Sequence, residues 1–163
     1  MGWLVELTSA GTMDQAGRVL GATLVDCGNQ TVSLTVQNVS DSPVALWRQG
    51  FPFRINGIGF RPIKIETLDG DELEQSRGGD RCGRFRPMYT DEYFEVIEPM
   101  GAREFNVRLN GKFQTVDGTL YRAVMENMGI RGITQFETLD DAEWNEEHVK
   151  SIALPQVACD IQF

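Results

Sequence analysis

The chain has 163 residues, 41% hydrophobic and 24% charged, which suits one globular domain able to bury roughly two thirds of its unfolded surface without metals or crosslinks. A formal charge of −9 argues against a nucleic-acid partner, which needs a surplus of Lys and Arg on one face, and against an anionic membrane surface. No apolar run approaches the roughly 20 residues of a membrane span, so no membrane insertion is expected, and Met1-Gly2-Trp3-Leu4-Val5-Glu6 lacks the basic and apolar regions of a signal peptide.

In chain order, residues 3–7 and 18–26 are the first candidate strands. Over 31–37, Val32, Leu34 and Val36 alternate with Ser33, Thr35 and Gln37, a period of two that predicts a half-buried strand. The run Asn38-Val39-Ser40-Asp41-Ser42-Pro43 breaks that strand, and residues 44–48 form the next. A strand over 63–68 is closed by Asp69-Gly70, a two-residue hairpin signal. Residues 93–97 follow, then Glu98-Pro99-Met100-Gly101, which fits a turn with proline in its second position. Beyond it Phe105, Val107 and Leu109 alternate with Glu104, Asn106 and Arg108. Asp117-Gly118 precedes a strand in which Tyr121, Ala123 and Met125 alternate with Arg122, Val124 and Glu126. Tyr121 is there either a tyrosine corner or a plain core residue. The last strand alternates Val157, Cys159, Ile161 and Phe163 with Ala158, Asp160 and Gln162. Helix is expected only as short turns near 12–16 and 140–148. This spacing predicts an all-β, immunoglobulin-like antiparallel β-sandwich, a single domain over 1–163, with one long Arg/Gly-rich loop and one acidic insertion.

From about residue 30 to 124 the order of features carries a resemblance. Asn38 and Asp41 lie in a turn, followed by Trp47 and Pro52, then Asp69-Gly70 and Arg77-Gly78. The strand at 93–97 comes next, then Pro99 and Gly101, and last Gly118 with Tyr121. This succession resembles the immunoglobulin-like module that precedes the catalytic domain in deuterolysin-type zinc metallopeptidases. Those enzymes bind zinc through a His-Glu-x-x-His helix; this chain has one histidine, His148, and no such motif. The resemblance therefore implies an accessory or propeptide-like module alone, with a role in folding, masking or recognising a partner.

Motifs for catalysis are sparse. Catalytic zinc needs about three ligands and an open position, which one histidine and scattered cysteines do not supply. His148, within Glu146-Glu147-His148, reads as a solvated residue, and a Ser-His-Asp or Cys-His relay would have to use it. Gly57-Ile58-Gly59 lacks the third glycine of a dinucleotide site, and Gly111-Lys112 lacks the rest of a phosphate loop. Asp69, Asp71 and Glu74 are accounted for by a hairpin turn, without the spacing of a calcium loop. A carboxylate pair in a cleft is the remaining catalytic route. The expectation is a non-enzyme with no cofactor and no metal. Cys27, Cys82 and Cys159 allow one disulfide and a free thiol, or three reduced thiols. Asn29-Gln30-Thr31 and Asn38-Val39-Ser40 match the glycosylation sequon, a pattern short enough to arise by chance.

Two stretches are too long and too charged to be mere connections. Residues 75–90 place Arg77, Arg81, Arg84 and Arg86 within ten residues, interleaved with Phe85, Met88 and Tyr89. Arg offers a planar fork for carboxylates and Tyr a rigid apolar face, the types that anchor interfaces. Twelve of the fifteen cationic residues are Arg. Residues 136–148 gather Glu137, Asp140, Asp141, Glu143, Glu146 and Glu147 around Trp144. The candidate binding residues are therefore Arg77, Arg81, Arg84, Phe85, Arg86, Tyr89 and Trp144. Three readings stand: an external protein partner, internal pairing of the two stretches, or plain solvated loops. The expected function is a non-catalytic protein-binding module, in its narrower form an inhibitor or immunity protein that masks a peptidase or toxin. The alternatives are a structural building block of a surface, phage or envelope assembly, and a carbohydrate-binding or carbohydrate-active sandwich with Trp47, Tyr89 and Trp144 on one face.

Overall fold

The computed structural model describes residues 18–54, 62–75, 91–109, 112–134 and 149–163. The described strands are β1 (Leu20–Gly28), β2 (Thr31–Asn38), β3 (Val44–Trp47), β4 (Ile63–Glu66), β5 (Phe94–Ile97), β6 (Ala102–Arg108), β7 (Leu120–Met125), β8 (Met128–Thr134), β9 (Lys150–Leu154) and β10 (Val157–Gln162). They form three antiparallel sheets, ordered β1-β2-β6, β10-β7-β4 and β5-β3-β8-β9. Among the described residues the only helical element is a 3-10 turn at Asp91–Tyr93. The all-β sandwich read from the sequence is the observed architecture.

The first sheet follows the alternation of its sequence. Val32, Leu34 and Val36 are wholly buried, while the intervening positions face outward, with Ser33 shielded by its neighbours across the sheet. Asn29 and Gln30 join β1 to β2 with φ of 53° and 59°, the left-handed pair whose twist matches a two-residue hairpin. Turn chemistry holds elsewhere too. Gly70 at φ 95° reverses the chain after β4, where Gly70 N donates to Thr67 O and Thr67 N to Asp71 O. At 98–101, Gly101 N donates to Glu98 O, with Pro99 second and Met100 in the left-handed position third.

The other two sheets are halves of one bent ribbon. β8 and β9 pair from Gly132↔Lys150 to Met128↔Leu154, and β7 and β10 continue from Met125↔Val157. Between them sit Glu126-Asn127 on one strand and Pro155-Gln156 on the other. Pro155 has no N–H to give to a ladder, and Gln156 N donates instead to Asn127 Oδ1 at 2.7 Å. The kink also changes the parity of both strands. Inward positions are Tyr121, Ala123 and Met125 before it but Met128 and Ile130 after it, and Ile152 and Leu154 before it but Cys159 and Ile161 after it.

All three sheets feed one hydrophobic interior that includes Leu20, Leu34, Leu46, Ile65, Ile130, Leu154 and Ile161. Two polar side chains bind it together. Asn38 is fully buried, its Nδ2 donating to Ser42 O and Ile97 O at 2.8 Å each and its Oδ1 accepting from Ser40 N and Oγ. That joins the end of β2 to the start of β3 and the end of β5. Tyr121 is the tyrosine corner: its hydroxyl accepts from Val116 N at 2.9 Å, and its ring meets Phe163 edge-on. At the rim between β5 and β6, Glu95 takes both Arg103 Nε at 2.6 Å and Arg48 at 3.3 Å. This rim is part-exposed, so each pair stabilises by at most about 1 kcal/mol.

Two described strands, β8 and β9, fall where the sequence reading placed none. The strand expected at 3–7 and the helical turns expected at 12–16 and 140–148 lie outside the described residues.

Candidate functional site on the outer face of the four-stranded sheet

All seven candidate binding residues, Arg77, Arg81, Arg84, Phe85, Arg86, Tyr89 and Trp144, lie outside the described residues, as do Cys82 and His148. What the structure does place is the ground from which their segments rise. Segment 76–90 begins after Gln75, which bridges to Phe113 and donates Nε2 to Ile63 O. It ends at the 3-10 turn, where Tyr93 O accepts from Arg48 N at 2.7 Å. Segment 135–148 leaves β8 at Thr134, beside Val44, and returns at Val149, just before β9.

These two segments share a root. β3 is buried along its whole length because it is covered on both faces. Val44 and Leu46 point into the main interior; Ala45 and Trp47 point the other way and cluster with Phe94 and Ile133. Tyr93 and Val149 both pack on this second cluster. Tyr93 follows the arginine-bearing segment and Val149 follows the acidic one, so both excursions return to the same outer face.

Trp47 is 7% exposed and the Arg131 guanidinium lies 5.4 Å from its ring centre. It is therefore no open stacking platform, which removes the aromatic that the carbohydrate reading required from β3. Next to it a small hollow of about 140 Å³ is bounded by Trp47, Gly50, Phe51, Met128 and Arg131. Gly50 is close packed here, since a Cβ would lie 3.2 Å from the Trp47 ring.

Cys27 is an exposed free thiol and Cys159 a half-buried one. Burial first, then the charges of Asp26 and Asp160 and the neighbouring Cys27, push the Cys159 thiol up to about 11. It is thus protonated at neutral pH and a poor nucleophile. Asp69 and Asp71 belong to the hairpin after β4, as the turn reading held. On the outer face of the same sheet a hydrogen bond to Glu126 holds Lys64 above its ordinary pKa, with Glu72 adding to it. The two sequons separate cleanly: Asn29 is exposed at a hairpin tip, whereas Asn38 is buried with its amide fully engaged.

No protein-family model matches the chain, and no curated protein matches it. Among solved structures it is similar to the periplasmic chaperone SfaE, at 13% identity and a TM-score of 0.25, covering 86% of this chain and 53% of that one. The chain thus spans about half the length of that chaperone. It is also similar to an ASH/PapD-like domain of human CEP192 (PapD-like domain 7), at 12% identity and a TM-score of 0.26, covering 87% of this chain and 79% of that one.

Proposed function

We propose that this chain is a non-catalytic protein-binding module whose partner is gripped by segments 76–90 and 135–148 together. The observation that supports the reading is their shared root: Tyr93 and Val149 rest on the same cluster with Ala45, Trp47, Phe94 and Ile133. Fixing the described ends of two oppositely charged segments on one floor suits a partner of mixed charge, because ordering cost is lowest where the loop bases are fixed. In its narrower form the module masks a peptidase or toxin, the role that the accessory-module resemblance implies.

The test is recovery of a partner from the native source by the full chain and by a variant with Arg77, Arg81, Arg84 and Arg86 all replaced by Ala. A stoichiometric protein retained by the first and lost by the second, at an unchanged melting temperature, is the expected result. Equal recovery by both chains, or no stoichiometric protein at all, overturns the reading. A variant that loses stability instead shows that the arginines pair within the molecule.

A further inference from the structure

Where β8 leaves the kink, an open hollow of about 350 Å³ lies between the start of β1 and the β8–β9 ribbon. Its polar side chains are Arg18, Asn127 and Ser151. All three can donate hydrogen bonds, and among the described residues no carboxylate lines the hollow. Arg18 is half-buried and Ser151 exposed, and neither has a hydrogen-bond or ion-pair partner among the described residues. Asn127 accepts from Gln156 N through Oδ1, which fixes the amide and leaves Nδ2 as a donor. Arg48, Arg103 and Lys64, by contrast, are each matched to a carboxylate. In a chain of net charge −9, a half-buried arginine beside two open donors, with no acid among the described residues of the lining, is an unbalanced arrangement.

The rest of the lining is apolar: Met128, Gly129, Ala153, Leu154 and Pro155, of which Leu154 points into the interior and Ala153 is exposed. Gly129 lets the Ser151 side chain lie over it, because a Cβ there would collide with Ser151 Oγ. We infer that this hollow binds a small carboxylic acid with a branched aliphatic body, the carboxylate on Arg18, Asn127 and Ser151 and the alkyl end on Ala153 and Pro155, beside Met128. Arg is suited to the first task, since its planar fork meets both oxygens of a carboxylate at once. The volume falls at the small end of ligand pockets, which begin at roughly 300 Å³.

Isovalerate is the probe and isovaleramide, of the same shape without the charge, its control. Titration of the full chain, followed by two-dimensional amide NMR, should give saturable shifts at Gly129, Ser151 and Ala153 with isovalerate and none with isovaleramide. Arg18→Gln, at the rim of the hollow, should weaken that binding at least about tenfold, the scale of one lost charge-assisted hydrogen bond. Gly129→Ala should abolish it by bringing a methyl group onto Ser151; Arg18→Gln decides the matter if that variant fails to fold. The proposal is overturned by an absence of saturable shifts, by equal shifts with isovaleramide, or by unchanged affinity in Arg18→Gln. It is also overturned if inorganic phosphate moves the same amides as strongly, since the apolar wall would then contribute nothing.

Discussion

On its inner side the four-stranded sheet meets the main interior, where Val44, Leu46, Ile130 and Ile152 touch side chains from the other two sheets. On its outer side Ala45, Trp47, Phe94 and Ile133 form a smaller cluster, bordered by Arg131 and by the roots of the two charged segments. The polar groups differ in the same sense. Those entering the interior, Asn38 and the Tyr121 hydroxyl, are matched partner for partner. Those away from it include donors such as Ser151 and Arg18 that have no partner among the described residues. A buried polar group left unmatched costs about 1–3 kcal/mol, so such groups are scarce (among the described residues only Ser33 Oγ, in β2, is buried without a partner), whereas a wet face keeps open donors at little cost. On the proposed function, stability and recognition fall on opposite sides of one sheet.

That division can be broken by substitution. Leu34→Ala, in the wholly buried centre of β2, should cost about 2–5 kcal/mol in urea unfolding through a cavity the interior cannot fill. Asn38→Ala should cost about 3 kcal/mol, because it strips two carbonyls and the Ser40 amide of a partner inside the molecule. Tyr121→Phe keeps the ring against Phe163 and removes only the hydrogen bond to Val116, so about 1 kcal/mol is expected. On the outer face, Arg131→Gln should lower stability by no more than about 1 kcal/mol, the scale of an exposed cation–π contact. A loss at Arg131 as large as that at Asn38 would contradict the division, and so would a near-neutral Leu34→Ala.

The strands that were legible in the sequence are those with one dry face. Val32, Leu34 and Val36 announce their side because Ser33, Thr35 and Gln37 oppose them, and the turns at 69–70, 98–101 and 117–118 carry residues chosen by backbone geometry. β8 and β9 were not legible for three physical reasons. Gly129 and Gly132 lower the strand signal, and Gly132 is there because a Cβ would lie 2.6 Å from Ala45 O. The kink shifts the parity, so the alternation set by Tyr121, Ala123 and Met125 does not carry across Asn127. β9 is short, and its inward residues are only Ile152 and Leu154. Trp47 misled in another way: a four-residue strand covered on both sides has no polar face from which to judge where an aromatic points. The hollow was invisible because Arg18 and Ser151 come to line one hollow only once β1 lies beside the ribbon. The seven candidate residues were chosen by composition, and only the ground beneath their segments is described.

The engagement of the Asn38 amide bears on how this protein can be made. A host that attaches sugars to Asn-x-Ser sites would act on the nascent chain at Asn38-Val39-Ser40, replacing one of the two hydrogens that reach Ser42 and Ile97 and setting a large polar group where no solvent enters. Such chains would be discarded by quality control before they matured, while sugar at Asn29 would project harmlessly from a hairpin tip. Production therefore belongs in a cell without that machinery, or in one where Ser40 has been changed to Ala.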